Sequence, residues 1–256
     1  MKDVYFTLVL AAMTATAVTT YGVHVVRRGW NKSARIDQLG GGSALLGRQI
    51  VEMGYFAMTP LARLFIALGF TANGVTWLAL LLGIGAGVAA GFAWIGLAAL
   101  LSTWSVICDV LDGQVARLTK TSSDTGEILD AAADRYTEFA FIGGLVILYR
   151  DLWWAQAIAL AALCGSIMVS YATAKAEALQ IKPPRGPMRR HERGAYLITA
   201  AGLSSFLNDS IAARWPDLPN CFPMIVALSI IAVAANYSAV MRLVKTAALV
   251  KKRAAE

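Results

Sequence analysis

Apolar windows long enough to cross a bilayer recur along almost the whole chain, at about residues 4–25, 72–92, 94–117, 127–149, 152–176, 194–212 and 222–244. A hydrocarbon core about 30 Å thick takes roughly 20 helical residues to cross. Inside lipid every backbone N–H and C=O must find a partner within the protein, and an α-helix provides this within one segment. The expected fold is therefore all-α integral membrane, with about seven spans. Composition agrees, because 57% hydrophobic and 15% charged residues exceed what one soluble core of this size uses.

Lys and Arg set the orientation, since cytoplasmic loops hold an excess of them. They cluster at Arg27, Arg28, Lys32 and Arg35, at Arg117 and Lys120, from Lys182 through Arg193, and from Lys245 through Arg253. Alternating spans put all four clusters on one side. The opposite connections carry only Lys2, an uncharged turn near Gly91, Arg150 and Arg214. The N-terminus is thus expected outside, with the C-terminus and the site facing the cytoplasm of a bacterial or archaeal membrane. The net charge of +7 is distributed as topology requires, so no nucleic-acid partner is inferred from it. It suits anionic head groups or phosphorylated substrates instead.

Residues 1–28 are expected to form a retained transmembrane anchor, because the apolar run is long and its basic cluster follows it. The Gly-rich stretch 29–44 is expected to be a flexible cytoplasmic connection. Residues 45–70 mix apolar residues with Arg48, Glu52 and Arg63, as in an amphipathic interfacial helix that Pro60 interrupts or kinks. Residues 71–246 read as one membrane domain whose first helix Thr71 or Asn73 caps, and 247–256 as a basic cytoplasmic tail. The architecture expected is a six-helix transmembrane core with an interfacial amphipathic helix and an extra N-terminal span. Cys108, Cys164 and Cys221 have no CxxC spacing, which gives no zinc or disulfide signal.

Against this background, "CDVLDGQVARLTKTSSDTGEILDAAADRY", residues 108–136, stands out. On one helix Asp109, Asp112, Gly113 and Ala116 fall at i, i+3, i+4 and i+7, a single face that Arg117 continues. On the next, Gly126, Asp130 and Asp134 fall at i, i+4 and i+8. Two antiparallel neighbours can then aim four carboxylates at one point. A carboxylate at membrane depth costs about 3 kcal/mol, and four together repel. Divalent metal relieves both costs, and carboxylate oxygens without His or Cys favour Mg²⁺, Mn²⁺ or Ca²⁺ over zinc. Paired metals suit transfer of a phosphoryl-type group, and the small residues on the same faces leave room for a nucleotide. The alternatives are bridges to Arg117, Lys120 or Arg135, or an ion path, although the acids outnumber those cations.

Asp109-x2-Asp112-Gly113-x2-Ala116-Arg117-x8-Gly126-x3-Asp130-x3-Asp134 resembles, without departure, the signature of the CDP-alcohol phosphotransferase family of integral membrane enzymes. The resemblance implies a metal-dependent transferase of phospholipid biosynthesis. It would use two ions, Mg²⁺ or Mn²⁺, and pass a phosphoalcohol or phosphatidyl group from a CDP-linked donor to an acceptor hydroxyl with release of CMP. By similarity Asp109, Asp112, Asp130 and Asp134 would bind metal, with Asp134 also the general base. Asp112, Gly113, Ala116, Arg117 and Gly126 would line the CDP site. The family also implies a homodimer.

"SYATAKAEAL", residues 170–179, and "GPMRRHERGAYL" resemble the branch that uses CDP-diacylglycerol and includes phosphatidylinositol-phosphate synthases. There a basic pocket binds the acceptor's phosphate, and the matching positions are Arg190 or Arg193, and Arg242, with Lys175 nearby as a further source of charge for the phosphate. One departure is Thr173, where those members carry lysine. The expected acceptor is a small polar, phosphorylated alcohol, recognised by arginine. Within the enzyme class the alternative is transfer from a soluble CDP-alcohol to a lipid hydroxyl. Outside it, the alternatives are a cation transporter built on the aspartates and a catalytically silent lipid-binding member.

Overall fold

The structure, a computed structural model, describes residues 3–28 and 48–253. Among them lie eight α-helices: α1 (Val4–Arg28), α2 (Arg48–Ala67), α3 (Ala72–Gly91), α4 (Ile95–Thr119), α5 (Asp124–Leu148), α6 (Trp153–Ala178), α7 (Arg190–Arg214) and α8 (Phe222–Arg253). The connection expected at 29–44 lies outside the described residues. By Cα proximity the chain forms two compact units, Met1–Ala86 with Gly96–Thr137, and Gly87–Ile95 with Glu138–Glu256.

Among the described residues, five helices are long and apolar enough to cross a membrane: α1, α3, α4, α6 and α8. The chain is thus a multi-pass membrane protein. Helices α5 and α7 have 25 residues each, roughly 37 Å at 1.5 Å per residue. Their charged residues keep them off the apolar list.

In the first unit, α3 begins where Thr71 caps it, its Oγ1 accepting from Gly74 N at 3.1 Å and its carbonyl from Val75 N at 3.0 Å. Helix α4 runs antiparallel to α3, because Thr76 meets Asp112 while Ser105 Oγ donates to Ala79 O at 2.7 Å. The C-terminal half of α2 packs Ala62 with Val75, Ala79, Cys108, Leu111 and Val115 into a core. It leaves Leu64 exposed, which is the two-faced pattern expected there. Helix α2 continues through Pro60 without a break. Asp3 clamps the start of α4, its carboxylate accepting from Gly96 N at 2.7 Å and Leu97 N at 3.1 Å. A carboxylate there satisfies orphan N–H groups and complements the helix dipole. At the other end of α4, Lys120 takes a left-handed φ of 58°, and Thr121 N bonds Ala116 O at 2.8 Å, which stops the helix sharply.

In the second unit, residues from the end of α3 lie against α5: Gly87 touches Ala140 and Gly144, and Gly91 faces Gly144 and Ile147. These segments therefore run parallel, and a Cβ on Gly87 or Gly144 would collide with the other helix's carbonyl oxygen. Helices α6 and α8 are parallel as well. Gly165 sits on Ala235 and Asn236, Thr173 meets Arg242, and Arg253 Nη1 donates to Leu179 O at 3.0 Å. Helix α7 joins them in sequence and returns the chain over the same length.

Valine at Gly144 forces these backbones apart, at a cost of about 1–3 kcal/mol. Gly143→Val, where a Cβ meets nothing within 4 Å, stays within about 0.5 kcal/mol. Thermal unfolding of the two variants in detergent checks this, and equal midpoints would contradict the backbone contact.

Candidate metal and anion sites

Helices α4 and α5 bring the motif together through a turn whose exit Ser123 caps, its Oγ accepting from Gly126 N at 3.2 Å. Carboxylate oxygens of Asp109, Asp130 and Asp134 all lie within 4.8 Å of one another. Asp109 and Asp130 are half-buried and Asp134 is buried. Asp112 is turned differently. It is buried, and its Oδ2 accepts a 2.7 Å hydrogen bond from Thr76 Oγ1 of α3, while it remains electrostatically coupled to Asp130 and Asp109. The four carboxylates read from the sequence thus divide into three that converge and one held by a neighbouring helix. Thr76 was not singled out in the sequence; its only signal there is a hydroxyl in the apolar run "GVTWLALLLG".

The convergent trio fits a hard divalent cation. Oxygens opposite each other across one Mg²⁺ stand about 4.2 Å apart and adjacent ones about 3 Å, close to the spread these three already have. Arg135 Nη1 stands 3.8 Å from Asp134 Oδ2, and its side chain is 44% exposed. So solvated a cation offsets little of the repulsion among three acids.

The small residues divide too. A Cβ at Gly113 would stand 3.0 Å from Arg117 Nη1, so Arg117 folds back one turn over that glycine. A Cβ at Gly126 would stand 3.3 Å from Ser123 Oγ and 3.6 Å from Asn73 Oδ1, which puts a polar edge beside it. Ala116 is partly buried and Arg117 exposed.

The second unit holds a basic pocket. Arg193 is fully buried and grips Glu138 with both edges of its fork, Nε to Oε1 at 2.6 Å and Nη2 to Oε2 at 3.0 Å. Among the described residues its Nη1 has no hydrogen-bond partner. Arg242, 8% exposed, donates from Nη1 to Thr173 Oγ1 at 2.7 Å, and its Nε has no hydrogen-bond partner among the described residues. Arg193 and Arg189 both act on Arg242 electrostatically. Gly186 lets the α6–α7 connection press close, since a Cβ there would collide with Ser238 Oγ and come within 2.9 Å of Arg242 Nε. Of the four expected phosphate-binding residues, Arg193 and Arg242 share this cluster, Arg190 is partly buried in the first turn of α7, and Lys175 is exposed on α6. Glu138 was missed in the sequence, although it continues the Asp130 and Asp134 stripe by one more step of four.

Residues 69–250 match the CDP-alcohol phosphatidyltransferase family. The phosphatidylinositol phosphate synthase of Mycobacterium marinum is 31% identical over 186 residues, 67% of this chain and 74% of that protein. That of Mycobacterium tuberculosis H37Rv is 31% identical over 199 residues, 72% and 83%. A bifunctional IPC transferase and DIPP synthase from Aquifex aeolicus is 38% identical over 104 residues, which is 41% of this chain but only 24% of that longer protein. Among solved structures, the M. tuberculosis synthase with CDP-DAG bound superposes with a TM-score of 0.64 at 27% identity, covering 74% of this chain and 92% of that one. The same enzyme with manganese and citrate gives 0.65 at 27%, covering 74% and 88%.

Removing one side of the buried ion pair leaves an uncompensated charge, so Glu138→Leu should cost about 3–5 kcal/mol. The double change Glu138→Leu with Arg193→Met removes both charges and should recover most of that loss. Detergent thermal unfolding of single and double variants reads the difference; a single variant as stable as the parent would show that the pair is not buried as described.

Proposed function

The chain belongs to the CDP-alcohol phosphatidyltransferase family, and we propose that it transfers a phosphatidyl group from CDP-diacylglycerol to a small phosphorylated alcohol, releasing CMP. The observation that carries the reading is the convergence of Asp109, Asp130 and Asp134. The buried arginine pocket supports the acceptor class: Arg189, Arg193 and Arg242 outnumber the carboxylates Glu138 and Glu192, and a phosphate monoester carries about −1.5 to −2 at neutral pH. Its oxygens would satisfy the N–H groups of Arg193 Nη1 and Arg242 Nε.

In this reading Asp109, Asp112, Asp130 and Asp134 hold two divalent ions, Mg²⁺ or Mn²⁺. Bound there, such ions hold pyrophosphate oxygens and offset charge developing on the attacking and leaving oxygens. Asp134 takes the proton from the acceptor hydroxyl. That oxygen forms a bond to the phosphorus bearing the diacylglycerol, the bond from this phosphorus to the CMP oxygen breaks, and CMP leaves. Arg117 contacts the phosphates, and Gly113, Ala116 and Gly126 admit the cytidine. Arg190 and Lys175 add positive charge on the acceptor's route.

The proposed membrane arrangement has α1 and α3–α8 as seven spans and α2 at the interface, with the C-terminus in the cytoplasm. The parallel runs of α6 with α8, and of the end of α3 with α5, support it, since each pair needs an intervening helix to bring the chain back.

Purified protein with Mg²⁺ and CDP-diacylglycerol should release CMP and form a new lipid with a phosphorylated polyol from an acceptor panel. Product only from a soluble CDP-alcohol and a lipid hydroxyl would reverse the donor assignment. Asp134→Asn should reduce turnover at least about 10³-fold while the protein stays folded, and excess EDTA should stop it. Arg242→Ala should raise the KM for the phosphorylated acceptor about tenfold or more, with little change for the CDP-lipid.

A further inference from the structure

The contact that the motif does not account for is the one between α3 and Asp112. Thr76 Oγ1 lies 2.7 Å from Asp112 Oδ2, and the two residues are 4% and 6% exposed. The same hydroxyl oxygen lies 3.2 Å from Ala72 O, one turn back on its own helix. A hydroxyl has one proton, and the shorter bond to an ionised acceptor takes it. The side chain that carries this hydroxyl is β-branched and stiff at χ1.

A second bond between α3 and α4 supports this register: Ser105 Oγ of α4 donates to Ala79 O, three residues beyond Thr76. Thr76 therefore reaches Asp112 across a helix pair tied at two points. Asp χ2 is a broad, roughly two-fold torsion, so an untethered carboxylate samples many orientations. Donation to Oδ2, beside a backbone hydrogen bond from Gly113, narrows that range and leaves Oδ1 the oxygen that can serve a cation.

We propose that Thr76 is a positioning residue for the metal site, holding the Asp112 carboxylate in the orientation in which its other oxygen meets a divalent ion. The inference rests on the reading of Asp112 as a metal ligand. Thr76 itself touches neither metal nor substrate. It lies on α3, more than thirty residues before the aspartate signature, and acts on the reaction through Asp112 alone.

The test is a Mn²⁺ titration of the detergent-solubilised full-length protein, followed by electron paramagnetic resonance without CDP-lipid or acceptor. Thr76→Val keeps the shape and removes the donor, and should weaken Mn²⁺ about tenfold. Thr76→Ser restores the hydroxyl and should recover most of the affinity. In an Asp112→Asn background the valine change should have no further effect. Wild-type affinity in Thr76→Val, or an equal loss in both backgrounds, would overturn the proposal. Thermal midpoints are measured alongside, and if Thr76→Val does not fold, Thr76→Ala carries the same comparison. An error in the acceptor assignment leaves the titration unchanged, and an error here leaves the acceptor panel unchanged.

Discussion

Three carboxylates with oxygens inside 4.8 Å of one another repel, and at membrane depth each also loses hydration. A chain that keeps them there has to hold two helices together against that repulsion. The motif helices cannot do this alone, because their facing surfaces are the acidic ones. Helix α3 supplies the restraint. Hydroxyl bonds from Thr76 and Ser105 join α3 and α4 in the first unit, and glycines that let backbones touch join the end of α3 to α5 in the second. Small residues and interhelical hydrogen bonds drive helix association in lipid, where apolar side chains gain little by leaving lipid for protein.

The same logic explains which helices fail a simple apolar test. Helix α5 carries Asp124, Glu127, Asp130, Asp134 and Glu138, and α7 begins with Arg190, Glu192 and Arg193. These are the helices that supply the sites. Several of these charges meet partners inside the chain, as in the Glu138–Arg193 fork, while Asp124 and Glu127 are exposed. Helix α1 is the opposite case: its apolar window is 0% buried among the described residues.

The helical content, the position of five of the seven expected spans and the convergence of Asp109, Asp130 and Asp134 were legible in the sequence, because they depend on residue spacing along helices. The helix cap at Thr71 was legible for the same local reason. What spacing could not show is which side chain on another helix answers a given charge. Asp112 shares a face with Asp109, yet its orientation is decided by Thr76, 36 residues away in sequence. Arg193 sits in a loop-like basic run, but its burial is decided by Glu138, 55 residues away. Gly113 was read as space for a nucleotide, and in the structure Arg117 lies over it. That contact is local, one turn along α4, and depends on the Arg117 rotamer rather than on spacing.

Each site carries an excess of charge. The acidic cluster has an excess of negative charge, and in the arginine pocket three guanidinium groups outnumber the carboxylates Glu138 and Glu192. Each excess is unfavourable in a poorly hydrated setting, and each is of the sign that a component of one reaction mixture would neutralise. Divalent cations suit the first, and a phosphorylated small molecule suits the second. A transporter for cations would explain the first excess and leave the second without a purpose. A metal-dependent transferase that selects a phosphorylated acceptor uses both. On the proposed reading the arginines would act mainly on which alcohol is accepted, while the aspartates would determine whether any is.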